Sequence, residues 1–218
     1  MAVLEVFDVT ERVMDEHGVE VRYIPGSLFL FPGLGYGGSC FPKDMQALIH
    51  TARSRGYTPR LLDAAEAVNF DQREKFVDMI KNYFHGDLKG KTLAVWGLAF
   101  KAGTDDVREA PGLTVISRLV DAGATIKAYD PQAITTARQE MGEIPQVSYA
   151  ASAYEALKGV DALVINTEWA SFREPDFDRI KSQMKQPVIF DGRNLYNPVK
   201  VAQLGLQYFF VGKKIEAE

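Results

Sequence analysis

The sequence contains little that could cross-link the chain or place it in a membrane. Its 218 residues include one cysteine, Cys40, so an internal disulfide framework is excluded. No apolar run approaches the length that spans a bilayer or forms a secretory signal. We therefore expect a cytoplasmic protein that makes no contact with a membrane.

Positive charge and metal-binding side chains are also scarce. The chain has 25 basic and 29 acidic residues, a net charge of -4, and three histidines. This balance argues against a broad nucleic-acid footprint, although a few local cations can still hold one small anion. The histidines and the cysteine do not share a metal-ligand spacing with acidic residues, so no metal site is expected.

What the sequence does have is a glycine-rich loop that leads to the cysteine. Residues 31–44 are Phe-Pro-Gly-Leu-Gly-Tyr-Gly-Gly-Ser-Cys-Phe-Pro-Lys-Asp. Glycines this dense permit positive φ angles and a close approach of the backbone to a ligand, so we expect the loop to contact one. The spacing Gly33-x-Gly35-x-x-Gly38 also resembles a dinucleotide fingerprint. That match fails, because Pro42 stands where a helix should already be running and no acid-terminated strand follows.

Cys40 is the candidate nucleophile of this loop. With Pro42 in the first turn of a helix, the thiol would face backbone N–H groups, and Lys43 and the helix dipole would favour the thiolate. Asp44 offers a carboxylate that can orient or deprotonate a water. The alternative is a small buried hydrophobe, the common state of a lone cysteine. The glycines, Lys43 and Asp44 favour the nucleophile, which we expect to be partly exposed and to react with iodoacetamide faster than a free thiol.

Two helices are predicted after the loop. The first covers residues 44–55 and is stopped by Gly56, and the second begins near Pro59 and continues to Phe84. An apolar stripe along the second helix can either pack into the core or form an interface between subunits. Its members are Leu61, Ala65, Val68, Phe76, Ile80 and Phe84.

From residue 89 onward, strands alternate with helices, the pattern of a parallel sheet covered on both faces. We predict an α/β protein in which a long central helix precedes a Rossmann-like parallel-sheet three-layer domain. The predicted strands are 92–96, 125–129, 147–149, 162–166, 188–190 and 207–211. The predicted regions are an atypical N-terminal segment over 1–28, a cysteine-loop and helical region over 29–88, and the sheet domain over 89–218.

The residues after the strands are candidates for binding, because ligands of open parallel sheets lie beyond the carboxyl ends of the strands. Phe100 could stack on a base there. Residues 97–102 form only a degenerate dinucleotide fingerprint, since the next strand-end acid, Asp130, lies too far along the chain. Without further features, the charges of these loops could equally be solvated. The cations suited to phosphate are Lys101, Arg108 and Arg193.

Two motifs carry a resemblance to a known family. Residues 35–44 and residues 97–109, the latter Gly-Leu-Ala-Phe-Lys-x-Gly-Thr-Asp-Asp-x-Arg-Glu, resemble the two signatures of the nucleotide-sugar 6-dehydrogenases. The resemblance implies that Cys40 forms a thiohemiacetal and then a thioester with C6 of the sugar, while two NAD molecules each accept a hydride. It implies that Asp44 helps to activate water and that Lys43 and Arg108 contact NAD. The implied substrate residues are Phe29, Leu30, Phe31, Pro32, Gly33, Gly37, Phe100, Lys101 and Arg193.

The resemblance covers about residues 29–212, the C-terminal half of such an enzyme. The family places its main NAD-binding domain before this point, so we expect these residues alone to bind uridine nucleotides without reducing NAD. The resemblance also implies a homodimer through residues 59–84. The Cys-Phe-Pro-Lys-Asp motif favours UDP-glucose, oxidised to UDP-glucuronate. GDP-mannose or a UDP-N-acetylhexosamine as substrate, or a non-catalytic nucleotide-sugar-binding or dimerisation module, are the alternatives.

Overall fold

The computed structural model describes residues 32–212 and, apart from them, the backbone of residues 13–14 and 20–21. In the latter part, β1 (Val13–Met14) pairs antiparallel with β2 (Glu20–Val21). The substrate residues predicted at Phe29, Leu30 and Phe31 lie outside the described residues. Within the described part, no helix combines the length and apolar character needed to cross a membrane.

Two helices follow the glycine-rich loop, α1 (Phe41–Ser54) and α2 (Arg60–Tyr83). Helix α1 begins before the predicted start because Pro42 occupies its first turn, where a missing N–H is tolerated. Gly56 ends it with a φ of 77°, a left-handed conformation that favours glycine. The two predicted helices are confirmed, with shifts of a few residues at their ends.

The apolar stripe of α2 is divided between two environments. Phe76, Ile80 and Phe84 are 2%, 0% and 8% exposed and belong to the core of the sheet domain, whereas Leu61 and Val68 are 81% and 61% exposed. The dimer prediction rested on Phe76, Ile80 and Phe84. That basis was wrong, because these three side chains are buried within their own chain. The exposed apolar part of the stripe lies in the N-terminal half of α2.

The elements of the sheet domain are β3 (Thr92–Trp96), α3 (Pro111–Asp121), β4 (Thr125–Tyr129), α4 (Ile134–Met141), β5 (Val147–Tyr149), α5 (Ala153–Ala156), β6 (Ala162–Ile165), α6 (Ala170–Arg173), α7 (Phe177–Gln183), β7 (Val188–Asp191), α8 (Pro198–Gln203) and β8 (Gln207–Phe210). The six strands are parallel and follow the order β5-β4-β3-β6-β7-β8, so the predicted α/β fold is confirmed. The order reverses direction between β3 and β6, which is the switch point of a Rossmann fold.

The central strands are apolar on both faces, as expected of a covered parallel sheet. Every residue of β6 and of β7 is buried, so neither strand has a solvent face. Helix α2 is joined to this domain through α3, where Arg118 Nε lies 2.8 Å from Glu74 Oε1. Helix α2 is therefore fixed to the sheet domain, and because its side chains bond to the glycine-rich loop, it sets where that loop can lie.

Helices α5 and α8 begin at the capping residues that the sequence predicts, Ser152 and Asn197. Ser152 Oγ accepts a hydrogen bond from Glu155 N at 3.1 Å, and Glu155 Oε2 accepts one from Ala151 N at 2.9 Å. The first bond is the predicted N-cap, and the second is the return bond of a capping box, shifted to the amide one residue before the N-cap. Asn197 Oδ1 accepts from the first-turn amides of α8, which confirms the predicted start of that helix.

Candidate functional site

The glycine-rich loop packs tightly against the loop that follows β3. A Cβ on Gly37 would lie 2.2 Å from the carbonyl oxygen of Glu109, and one on Gly38 would lie 2.8 Å from the ring of Phe100. Gly38 N–H also donates a hydrogen bond of 2.8 Å to the carbonyl of Arg108. The two sequence motifs therefore form one structural unit, and these glycines are required for packing within the chain.

Cys40 lies at the N-cap of α1 and is exposed, as predicted for a loop-to-helix junction. Its thiol does not accept a hydrogen bond from the helix, contrary to the expectation that it would face backbone N–H groups. Cys40 already has αR backbone angles, and Pro42 has no N–H to donate, so normal capping is prevented. The Sγ atom lies 3.7 Å from Ser39 Oγ.

The two motifs also supply two cations, Lys43 and Arg108. Lys43 Nζ is 3.4 Å from Asp44 Oδ1, and both side chains are exposed, so Asp44 is accessible to water. Arg108 forms two hydrogen bonds to Asp106, of 2.9 and 2.7 Å, which lower the pKa of Asp106. The same bonds raise the pKa of Arg108. Arg108 and Cys40 lie on the two loops that the hydrogen bond from Gly38 N–H to the Arg108 carbonyl joins.

Arg193 connects the end of β7 to the switch point. Its Nε donates to the carbonyl of Asn166 at 2.8 Å, and its Nη2 donates to the carbonyl of Phe100 at 3.1 Å. Glu168 Oε2 lies 3.3 Å from the same Nε. Burial lowers the pKa of Arg193, while Glu168 partly offsets this effect. Nη1 lies beside Gly33, where an added Cβ would be 3.3 Å away, so this nitrogen faces the glycine-rich loop.

Phe100 and Lys101 lie at the carboxyl end of β3, where the Rossmann architecture places ligands. Lys101 is exposed, and its Nζ lies 5.3 Å from the centroid of the Phe100 ring. The same ring packs on Gly38, so it is only partly available to a base. Pro32, the first predicted substrate residue that the structure describes, is exposed on the same glycine-rich loop.

Asp130 directly follows β4, and its carboxylate is fully engaged within the protein. In dinucleotide-binding domains, the acid at this position holds a ribose. Here one carboxylate oxygen accepts from Leu98 N at 2.8 Å, Ala99 N at 3.2 Å and Trp169 Nε1 at 3.0 Å. The other accepts from the amides of Gln132 and Ala133. The carboxylate has no capacity left for a ribose, so this domain does not fit NAD in the usual Rossmann position.

Three polar side chains of α2 hold the glycine-rich loop, and the sequence reasoning did not identify them. They are Asn69, Gln72 and Arg73, which we call the α2 clamp. Asn69 Oδ1 accepts from Tyr36 N at 2.7 Å, and its Nδ2 donates to Tyr36 O at 3.3 Å. Gln72 Nε2 donates to Gly33 O at 3.1 Å. The sequence signal that could have identified them is their i, i+3, i+4 spacing, which places all three side chains on one face of the helix.

Fold and site together define an α/β protein with a Rossmann-like sheet, in which the glycine-rich loop that carries Cys40 packs on the loop after β3. The central-domain model of the UDP-glucose/GDP-mannose dehydrogenase family matches residues 7–71, and that family's UDP binding domain matches residues 94–198. The matches together cover more than half of the chain. The chain belongs to the UDP-glucose/GDP-mannose dehydrogenase family. The central-domain match begins well before residue 29, where the motifs alone had placed the start of the resemblance.

Individual relatives agree with this assignment. The UDP-glucose 6-dehydrogenase of Pseudomonas aeruginosa is 44% identical over 191 residues, which cover 86% of this chain and 42% of the relative. The TuaD enzyme of Bacillus subtilis, a UDP-glucose 6-dehydrogenase, is 43% identical over 93% of this chain and 43% of its own length. A UDP-glucose dehydrogenase structure from Pyrobaculum islandicum aligns with a TM-score of 0.73 and 32% identity, over 95% of this chain and 42% of that one. The chain thus spans less than half the length of these relatives.

Proposed function

We propose that the chain supplies the glycine-rich loop with Cys40 and the UDP-sugar-binding domain of an NAD-dependent UDP-glucose 6-dehydrogenase. The observation that carries the proposal is the junction of the two motifs, in which Gly38 N–H donates to the carbonyl of Arg108 at 2.8 Å. This bond brings the candidate nucleophile, Cys40, to the carboxyl end of the sheet. The names of the relatives with 43–44% identity support UDP-glucose as the substrate.

The nucleotide part of the substrate is proposed to lie between the loop after β3 and the glycine-rich loop. Phe100 would contact the base, and Lys101 and Arg193 Nη1 would contact the pyrophosphate. A charge-assisted hydrogen bond of this kind contributes about 1.5–3 kcal/mol. Pro32, Gly33 and Gly37 would line the sugar side, together with the residues from Phe29 to Phe31.

Cys40 is proposed to carry the sugar covalently. Its sulfur attacks the C6 aldehyde to form a thiohemiacetal. Loss of a hydride and a proton from this adduct then gives a thioester between Cys40 and C6. Water cleaves the thioester, which yields the carboxylate of UDP-glucuronate and returns the thiol. The exposed Asp44 is placed to orient that water. NAD, when bound, supplies the acceptor for the two hydrides that C6 loses.

Lys43 and Arg108 are the proposed contacts of this chain with NAD. Both are exposed cations, Lys43 three residues after Cys40 and Arg108 on the loop that bonds to Gly38, and cations there would suit an anionic cofactor beside the reacting carbon. Because Asp130 is engaged within the sheet domain, residues 89–212 are not proposed to hold the adenosine half of NAD. A polypeptide of these 218 residues is therefore expected to bind UDP and to produce no NADH.

Calorimetric titration with UDP tests the binding site. We expect measurable heat with the unaltered chain and weaker binding by about tenfold with Lys101→Ala, since one charge-assisted contact is lost. The matched control is Lys158→Ala, an exposed lysine after α5, which should bind as the unaltered chain does. Absence of heat with UDP would refute the site, and NADH production from UDP-glucose would refute the proposed cofactor arrangement.

Another nucleotide-sugar remains the second candidate substrate. A structure named as an NDP-N-acetyl-D-galactosaminuronic acid dehydrogenase, from Methanosarcina mazei, aligns with a TM-score of 0.70 and 25% identity, over 84% of this chain and 39% of that one. Competition between UDP-glucose, UDP-N-acetylglucosamine and GDP-mannose for the UDP site distinguishes the candidates. Preferential displacement of UDP by either of the last two would replace UDP-glucose as the proposed substrate.

A further inference from the structure

Arg73 of the α2 clamp is a buried cation that contacts three separate elements. The residue is 7% exposed. Nη2 donates to the carbonyl of Tyr36 at 3.0 Å and to that of Glu109 at 3.5 Å, and Nη1 donates to Thr114 Oγ1 at 3.2 Å. None of the ion pairs formed among residues 32–212 includes Arg73. Its bonds therefore join the glycine-rich loop, the loop after β3 and helix α3.

We propose that Arg73 is a positioning residue that holds Cys40 beside Arg108, by fastening together the two loops that carry them. Tyr36 precedes Cys40 on one loop, and Glu109 directly follows Arg108 on the other. The purpose of this arrangement rests on the proposed dehydrogenase function, in which Cys40 is the nucleophile and Arg108 contacts the cofactor. The geometry itself does not depend on that function.

The chemistry of arginine suits this role. Its planar fork presents five donors in a fixed arrangement, so one side chain can reach two carbonyl oxygens and a hydroxyl at once. Burial lowers the pKa of Arg73, a cost that an apolar packing residue would avoid. Glu109 also has a φ of 51°, an uncommon conformation for a residue with a Cβ. The surrounding residues must hold Glu109 in this strained conformation, and the hydrogen bond from Arg73 to its carbonyl is one of the contacts that do so.

The test measures how fast iodoacetamide alkylates Cys40, in the unaltered chain and in variants at Arg73 and Arg108. Arg108→Gln should slow alkylation about twofold to fivefold, the scale of an exposed charge pair. In an Arg73→Met background, Arg108→Gln should cause no further slowing, because the two loops are no longer held together. This loss of coupling is a readout that general destabilisation alone would not produce.

Two further variants keep the result interpretable. Arg118→Met removes a different α2–α3 contact, the ion pair with Glu74, and touches neither loop, so Arg108→Gln should slow alkylation in that background as it does in the unaltered chain. Arg73→Lys retains the charge if Arg73→Met does not fold, but a single ammonium cannot replace the fork, so coupling should again be lost. Equal slowing by Arg108→Gln in every folded background would overturn the proposal. No nucleotide takes part in alkylation, so a failure to bind UDP would refute the proposed function without affecting this result.

Discussion

The two halves of α2 have the same apolar period but lie in different surroundings. In the C-terminal half, Phe76 and Ile80 are 2% and 0% exposed against the sheet domain, whereas Leu61 and Val68 in the N-terminal half are 81% and 61% exposed. Periodicity determines which side chains share a face of the helix, but the element that packs on that face determines their burial. The comparison separates the part of the stripe that stabilises the chain from the part that is available to a partner.

The largest effect is expected from shortening a side chain in the buried half. Phe76→Ala should lower the free energy of unfolding by about 3–5 kcal/mol, because it removes buried apolar surface and leaves a cavity. Leu61→Ala, the matched change in the exposed half, should lower it by less than about 0.5 kcal/mol. Urea denaturation followed by circular dichroism, at one fixed protein concentration, measures both values. Similar losses at the two positions would remove the distinction between the halves.

A smaller effect concerns the exposed half as the surface of a homodimer. We expect Leu61→Asp to weaken self-association by at least about tenfold, on the order of 1.4 kcal/mol, since it places a charge where apolar surface would meet. Sedimentation velocity over a range of concentrations measures the association. Glu140→Ala, an exposed change on α4, is the control and should associate as the unaltered chain does. A monomeric unaltered chain at micromolar concentration would rule out the dimer.

The smallest effect is expected from the ion pair between Arg108 and Asp106. Like the exposed half of α2, this pair lies at the surface, so its loss changes little buried structure. The hydrogen bond from Arg108 holds the pKa of Asp106 below its usual value. A carboxyl with a lowered folded-state pKa adds stability above its unfolded pKa and loses it as the pH falls through the folded pKa. Asp106→Asn should therefore slightly destabilise the chain at neutral pH and have no such effect in strong acid. Urea denaturation at both pH values measures the difference, and a larger effect in acid would contradict this sign.

The sheet domain was predictable from sequence, because its strands are short apolar runs between local stop signals. Strands β3, β4 and β5 match their predicted bounds. The α2 clamp was not predictable, because its partners on the glycine-rich loop lie 33 to 39 positions away along the chain. No local pattern encodes such a contact. The position of Cys40 on the chain could be inferred, but the residues that hold its loop in place could not.

The α2 stripe and the glycine-rich loop share one feature that a local sequence pattern does not reveal. The glycines were expected to approach a ligand, and Gly37 and Gly38 pack against the chain's own Glu109 and Phe100. Both expectations assumed that an unusual local composition serves something outside the chain. In each case a distant part of the same chain supplied the contact. Whether a ligand also reaches this loop is a question for the UDP titration.

The engagement of Asp130 has a consequence for redesign. Its carboxylate supports the backbone of Leu98 and Ala99, directly before Phe100 and Lys101, and it also anchors the indole of Trp169. Turning it toward a ribose would remove these bonds and release the segment that forms the proposed nucleotide site. An engineer could therefore not convert this domain to dinucleotide specificity by changing single residues. The segment after β3 would have to be rebuilt first.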